Sequence, residues 1–422
     1  MTLILFLFVL FFVGVPIGFA LGMTALVGIF ISGFQPLILV QRMFTGVDSI
    51  ALTAIPLFIL AGELMYHGGM SRRMVNFADT LMGHMASGIA MAAVLACTFF
   101  ALITGSAIAA TAAIGGIMIP LMTEKNYEPT FSAPLLACGG TIGAVFPPSI
   151  PLLVYGVLAN VSVGALFVGG FIPGILMSLS LLFITYRIGK KRNYKGRETK
   201  ASLGEIAKAG LNALLALLMP VIIIGGILGG WFTPTESATI AVAYAFIVGA
   251  LIYRELKLKN MFQILVNSAR ATGLVLMIVA FASLFTWVIT VNQIPQQVSA
   301  VLRENIHSPI VMLLLINVVL LLAGSFIDTI SAIVIFAPLF LPLVRAFNID
   351  PIHFGLIMVM NLSIGMATPP LGVCLFVSGS IAKVSLREQL RDLLPMVAAM
   401  LVALLIVTYF PQTVLFLPNL LR

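Results

Sequence analysis

GGTIGAVFPPSIPLL at residues 139–153 and NLSIGMATPPLGVCL at residues 361–375 align without a gap at an offset of 222. They share Ile142-Gly143 with Ile364-Gly365, and Pro147-Pro148 with Pro369-Pro370. Glycine lets a backbone bend and each proline removes a donor, so both stretches read as helices broken in the middle. Upstream, TGSAIAATAAIGG from Thr104 matches AGSFIDTISAIVI from Ala323, pairing Gly105-Ser106 with Gly324-Ser325. Pro16 and Pro234 open further comparable segments, VPIGFALGMTALVGIF and TPTESATIAVAYAFIV. Three matches in the same order indicate a duplicated chain.

The matched pieces lie in a chain that is 61% hydrophobic and only 9% charged. A soluble domain carries about 25% charged residues, so a soluble fold, solvated disorder, a collagen-like fibre and a nucleic-acid binder are excluded. At about 20 residues per crossing, 422 residues allow on the order of ten membrane spans. The 37 Gly and 22 Pro are unusual for a plain bundle. Breaks at membrane depth are tolerated only where protein or a cavity satisfies the freed backbone. Cys97, Cys138 and Cys374 lie in apolar stretches without CxxC spacing and read as inert buried thiols. The apolar start, Met1 to Phe12, lacks a basic leader region and reads as a first membrane segment rather than a signal peptide.

The fold class expected is all-α integral membrane, an inverted repeat with two re-entrant hairpins and broken transmembrane helices. The first repeat spans 1–186, with a hairpin at 87–122 and a broken helix at 131–158. A polar linker at 187–208 follows. The second repeat spans 209–422, with a hairpin at 309–343 and a broken helix at 352–380. Other apolar segments fall near 2–14, 16–33, 49–66 and 165–187, then 209–230, 234–253, 271–290 and 393–418. The first two read either as separate segments or as one long tilted helix. Each hairpin alternatively reads as two ordinary helices with a tight turn. Five crossings per half require the second copy to be inverted. With 187–208 cytoplasmic and both termini outside, eighteen of the 22 Lys and Arg fall on the cytoplasmic side. Only Arg42, Arg303, Arg345 and Arg422 fall outside, in keeping with the positive-inside rule.

Broken helices expose carbonyls suited to a small cation and N-termini suited to an anionic group. Ser106 and Ser325 fall where hairpin tips would lie, followed by Thr111 and by Asp328-Thr329. Asp328 is the one acid placed deep within an apolar hairpin, where an ionisable group is costly and usually functional. An ion ligand, a proton relay and a structural hydrogen bond are its three readings. Gly105, Thr111, Ser149, Gly324 and Thr329 are candidate substrate contacts, and Glu236 is a further one. Thr233-Pro234-Thr235-Glu236 also reads as a capping box with Pro at the first helical position, which accounts for Glu236 structurally.

Taken together, PLFILAGELMYHGG from Pro56, GSAIAATAAIGG, YEPTFSAPLLACGGTIGAVFPPSIPLLVYG and GGWFTPTESATIAVAY resemble the large membrane subunit of TRAP (tripartite ATP-independent periplasmic) transporters. The resemblance covers essentially the whole chain. It implies a Na⁺-driven importer of organic acids in the bacterial inner membrane, with elevator-like movement of the unit holding both hairpins. It also implies a separate small membrane subunit, a periplasmic substrate-binding protein, and no cofactor beyond Na⁺ as coupling ion. By motif it places one Na⁺ site on Ser106, Gly143, Val145 and Pro147. The other falls on Ser325, Asp328, Gly365, Thr368 and Pro369. Some members carry an acid in the first tip where this chain has Ala110. A binding-protein-independent antiporter or exporter of the same fold is the alternative. An intramembrane enzyme is disfavoured because the chain has no HExxH, no GxSxG and no mid-membrane histidine. Dicarboxylates, sialic acids and sugar acids are not separated by sequence.

Overall fold

The computed structural model describes residues 2–197 and 199–420, which are helical with connecting turns and form no strand. Arg422, counted above as an outer cation, and the outermost residues of both repeats lie outside the described residues. Among the described residues, nine helical runs are long and apolar enough to cross a bilayer. Large side chains such as Val221 on Leu203–Leu228 and Leu314, Val318 and Leu322 on Pro309–Phe326 are exposed. Such surfaces are stable against lipid, and the chain is a multi-pass membrane protein.

The centre is built from four broken elements. The first hairpin has arms Gly88–Thr104 and Ala107–Glu124, and the second has arms Pro309–Phe326 and Thr329–Ala346. The broken helices are Pro129–Thr141 with Ile150–Ala159, and Pro351–Gly365 with Val373–Ala382. The repeats cross over one another. Ala107–Glu124 packs on Val373–Ala382, and Thr329–Ala346 packs on Ile150–Ala159. The Ser363 hydroxyl donates to the Thr141 carbonyl at 2.6 Å, and both residues are fully buried. Thr141 and Ser363 are 222 apart, so equivalent positions of the two copies touch where a pseudo-two-fold axis must pass. The prolines at 147–148 and 369–370, the same distance apart, both form cis peptides.

Around this hairpin unit stands a framework: Thr2–Phe12, Ile17–Ile31, Leu37–Val47, Ala54–His67, Leu203–Leu228, Pro234–Ile247 and Leu258–Val291. The last has 34 residues, about 50 Å of helix. Two amphipathic helices, Met70–Met82 and Ile294–Asn305, join framework to hairpins at matching places in each half. Arg73 on the first donates to Glu255 at 2.6 Å and sits over the Tyr253 ring, tying that connector to the framework. Residues after Phe171–Lys191 form a strap: Arg192 pairs with Glu128 and Asp392, and Arg197 pairs with Asp79.

Several boundaries differ from the sequence reading. Thr2–Phe12 and Ile17–Ile31 are separate helices, because Gly14 has φ +86° and Pro16 precedes the second. Leu37–Val47 is a helix where none was expected. Residues 254–270, read as a connection, are helical from Leu258. Polar side chains there fit a helix surface, with Gln263 bonded to Asn267 one turn on. The 165–187 segment is two helices meeting at Gly170, Val163–Gly169 and Phe171–Lys191. The 393–418 segment divides at Pro411 into Leu386–Tyr409 and Gln412–Leu420. Both ends of the 187–208 linker are also helical, through Lys191 and from Leu203.

The main correction concerns the hairpin register. Pairing Gly105-Ser106 with Gly324-Ser325 is out by three residues. Arms end at Thr104 and Phe326 and restart at Ala107 and Thr329, so the offset of 222 holds here too. Ser106 therefore corresponds to Asp328, and Gly324-Ser325 lie in the last turn of the first arm.

Candidate functional site at the hairpin tips

Both tips are turns of two residues, Gly105-Ser106 and Ile327-Asp328, and both are pinned to the opposite break in their own half. Gly105 has φ +58°, a left-handed conformation that only glycine adopts cheaply, and its carbonyl accepts from the Ile150 N–H at 3.3 Å. In the second half the Ser325 carbonyl accepts from Leu371 and Gly372 at 3.2 and 3.0 Å. Ile150 and Gly372 are again 222 apart. The tip and the break touch so closely that a Cβ on Gly365 would lie 2.6 Å from the Gly324 carbonyl carbon.

The two tips are capped differently. Ser106 is the N-cap of Ala107–Glu124, its Oγ accepting from the Ala109 N–H at 3.4 Å. Asp328 caps Thr329–Ala346 with one oxygen accepting from Ile330 and Ser331 at 3.0 and 3.1 Å, and the other from the Ser331 hydroxyl. The acid saturates the donors of its own helix. The serine leaves the Ala107 and Ile108 N–H groups without a side-chain cap, a positive pole able to receive an anion.

A cavity of about 680 Å³ holds both tips. The first tip contributes Thr104, Gly105, Ser106, Ala107 and Ile108, and the second Asp328, Thr329 and Ile330. The breaks add Ala144, Ile150, Pro151 and Met366. The framework closes it with Ile59, Glu63 and Tyr66 from Ala54–His67, and with Leu274, Val275 and Ile278 from Leu258–Val291. Glu63 and Asp328 are the charged side chains among the described lining residues; no Lys, Arg or His is present.

The structure brings Gly105, Ser106, Asp328 and Thr329 together on this cavity. The other candidates lie elsewhere. Gly143, Val145, Pro147, Ser149, Ser325 and Gly365 are buried behind the lining. Ser149 caps Ile150–Ala159 and donates to the Ala144 carbonyl. Thr111 is buried, with its hydroxyl bonded to the Ala107 carbonyl, and Gly324 packs on Leu362. Thr368 donates to the Ile364 carbonyl, and Pro369 joins it in the second break. Glu236 is corrected as a substrate contact. Its carboxylate accepts from the Thr233 N–H and hydroxyl at 2.7 and 2.9 Å, a capping box away from the cavity. Sequence reading missed Glu63 as a wall residue. An acid in the apolar run LAGELM, one turn before His67, was the available signal.

A family profile described as "Tripartite ATP-independent periplasmic transporter, DctM component" matches residues 4–413. The chain belongs to this family. Among its relatives is the "Isethionate TRAP transporter permease protein DctMQ" of Oleidesulfovibrio alaskensis, 42% identical over 405 residues. That match covers 96% of this chain but 64% of the longer relative. The "C4-dicarboxylate TRAP transporter large permease protein DctM" of Pseudomonas aeruginosa is 40% identical, covering 90% of this chain and 88% of that one. The "Sialic acid TRAP transporter large permease protein SiaM" of Vibrio cholerae is 37% identical, covering 97% and 96%. The Alcanivorax borkumensis YdaH transporter, in a crystal structure reported to have an unusual topology, shares the fold. It has a TM-score of 0.57 at 14% identity and covers 91% of this chain and 86% of that one. This DctM-family chain is thus a large permease component, with its two hairpins meeting at one cavity.

Proposed function

We propose that the chain is the large subunit of a Na⁺-coupled importer of a small organic acid. It works in the bacterial inner membrane with a small membrane subunit and a periplasmic binding protein that delivers the acid. Both termini face the periplasm and residues 187–208 face the cytoplasm. The hairpin unit carries the acid by moving, elevator fashion, against the framework, with Met70–Met82 and Ile294–Asn305 as the connecting arms.

One observation carries this reading: the cavity lies between hairpin unit and framework, and its two charged groups are both acids. An anion entering there meets the uncapped N–H groups of Ala107 and Ile108 but also the Asp328 carboxylate. Two carboxylates about 5 Å apart repel by roughly 3 kcal/mol at an effective dielectric constant near 20. A cation held at the second tip reverses that sign, which couples the acid to Na⁺. The backbone oxygens and hydroxyls crowded at Gly143–Pro147 and Gly365–Pro369 are hard ligands of the kind Na⁺ takes.

Asp328→Asn tests it. Asparagine retains an oxygen to cap Ile330 and Ser331, so the tip keeps its shape while the charge is lost. Uptake into proteoliposomes containing the complex and its binding protein should need about tenfold more Na⁺ for half-activation. Unchanged Na⁺ activation removes Asp328 from the ion site. Uptake that never depended on Na⁺ in the wild type ends the coupling itself.

A further inference from the structure

The cavity is chemically lopsided in a way that bears on which acid it takes, an inference that rests on the organic-acid reading above. One end offers an anion the Ala107 and Ile108 N–H groups and the Ser106 hydroxyl. Nothing else among the described lining residues meets a second carboxylate, since the remaining charged side chain, Glu63, is itself an acid. Glu63 stands on the framework wall with its side chain 32% exposed, 3.6 Å from His67. The rest of that wall is Ile59, Leu274, Val275 and Ile278, with Leu274 60% exposed. The hairpin unit faces it with Phe100, Ile108, Ile150, Ile330 and Met366.

A dianion would place its far carboxylate in the field of Glu63 without a compensating donor. A polyhydroxylated acid would leave hydroxyls desolvated against isoleucine, leucine and valine. A single carboxylate on an aliphatic body meets neither penalty. It puts its charge at the first tip and buries its hydrocarbon on the framework wall. We infer that this cavity selects monoanionic organic acids with an apolar body, and that Glu63 is the residue that turns dianions away.

The test uses the complex of this chain with its small subunit, purified in detergent and melted in Na⁺ buffer. Three sodium salts are titrated: 4-methyl-2-oxopentanoate, succinate and gluconate. The branched keto acid should stabilise at concentrations about tenfold lower than the other two. Glu63→Gln should narrow the gap between succinate and the keto acid by about tenfold, and Glu63→Asp, which keeps the charge, should restore it. Succinate or gluconate stabilising better than the keto acid overturns the selection while leaving an organic-acid transporter in place. An unchanged succinate-to-keto-acid ratio in Glu63→Gln removes Glu63 from it. Stabilisation by none of the three in the wild type overturns this inference and counts against the underlying reading as well. If Glu63→Gln fails to assemble, the wild-type ranking and Glu63→Asp still decide the matter.

Discussion

Replacing Gly365 by alanine puts a methyl group into the seam between the second broken helix and the first arm of the second hairpin. The new Cβ would lie 2.6 Å from the carbonyl carbon of Gly324, 2.7 Å from its Cα and 3.0 Å from the Ser325 nitrogen. All three are backbone atoms, so no change of rotamer relieves the clash. Ordinary van der Waals contact begins at 3.4 Å, so the seam must open by about 0.8 Å. It is latched by the Leu371 and Gly372 N–H groups on the Ser325 carbonyl at 3.2 and 3.0 Å. Opening by that amount stretches both beyond about 3.5 Å, where they cease to be hydrogen bonds. Overpacking costs about 1–3 kcal/mol and each lost bond about 0.5–1.5 kcal/mol, so the tip loses roughly 2–6 kcal/mol. The assay is the melting temperature of the purified complex, with Na⁺-dependent uptake measured alongside. Gly116→Ala is the control, since a Cβ there meets nothing within 4 Å. Gly324→Ala pushes the same two surfaces apart, so the double variant should lose less than the sum of the singles. Gly365→Ala behaving like Gly116→Ala in both measurements would falsify the claim that this seam is set by backbone contact.

Three further substitutions probe the frame around the site. Ser363→Ala removes the bond to the Thr141 carbonyl on the pseudo-two-fold axis; it should cost about 1–3 kcal/mol in melting experiments and leave Na⁺ half-activation where it was. Arg192→Ala leaves Asp392, whose side chain is only 7% exposed, without its cation. It should destabilise by about 2–4 kcal/mol, with Arg192→Lys recovering part of the loss; equal melting of all three proteins would make the strap dispensable. Glu236→Ala breaks the Thr233 capping box and should cost about 1 kcal/mol with the KM for the acid unmoved. A raised KM with unaltered melting would return Glu236 to the substrate site.

What could be read from the chain beforehand, and what could not, follows from which residues have neighbours in sequence as partners. The broken helices were legible because glycine and paired prolines punctuate a helix by their own covalent geometry, whatever surrounds them. The tips were placed three residues wrong in the second half because small residues answer to two different demands. Gly105 is small to turn the chain with φ +58°, whereas Gly324 is small to let Gly365 approach. The true equivalents, Ser106 and Asp328, differ in identity and share a task, capping the second arm of a hairpin. Matching letters hides that and matching caps reveals it. Glu236 shows the opposite error, since TPTE already contained a complete local account of its carboxylate. The framework wall was beyond reach for a different reason. Ala271, Leu274, Val275 and Ile278 face the cavity, while Leu314 and Val318 are exposed on a hairpin arm outside it. Lipid and the hydrocarbon part of a substrate ask for the same side chains. A sequence can therefore announce an apolar face without saying which of the two it meets, and only the placement of Glu63 beside the first tip tells them apart.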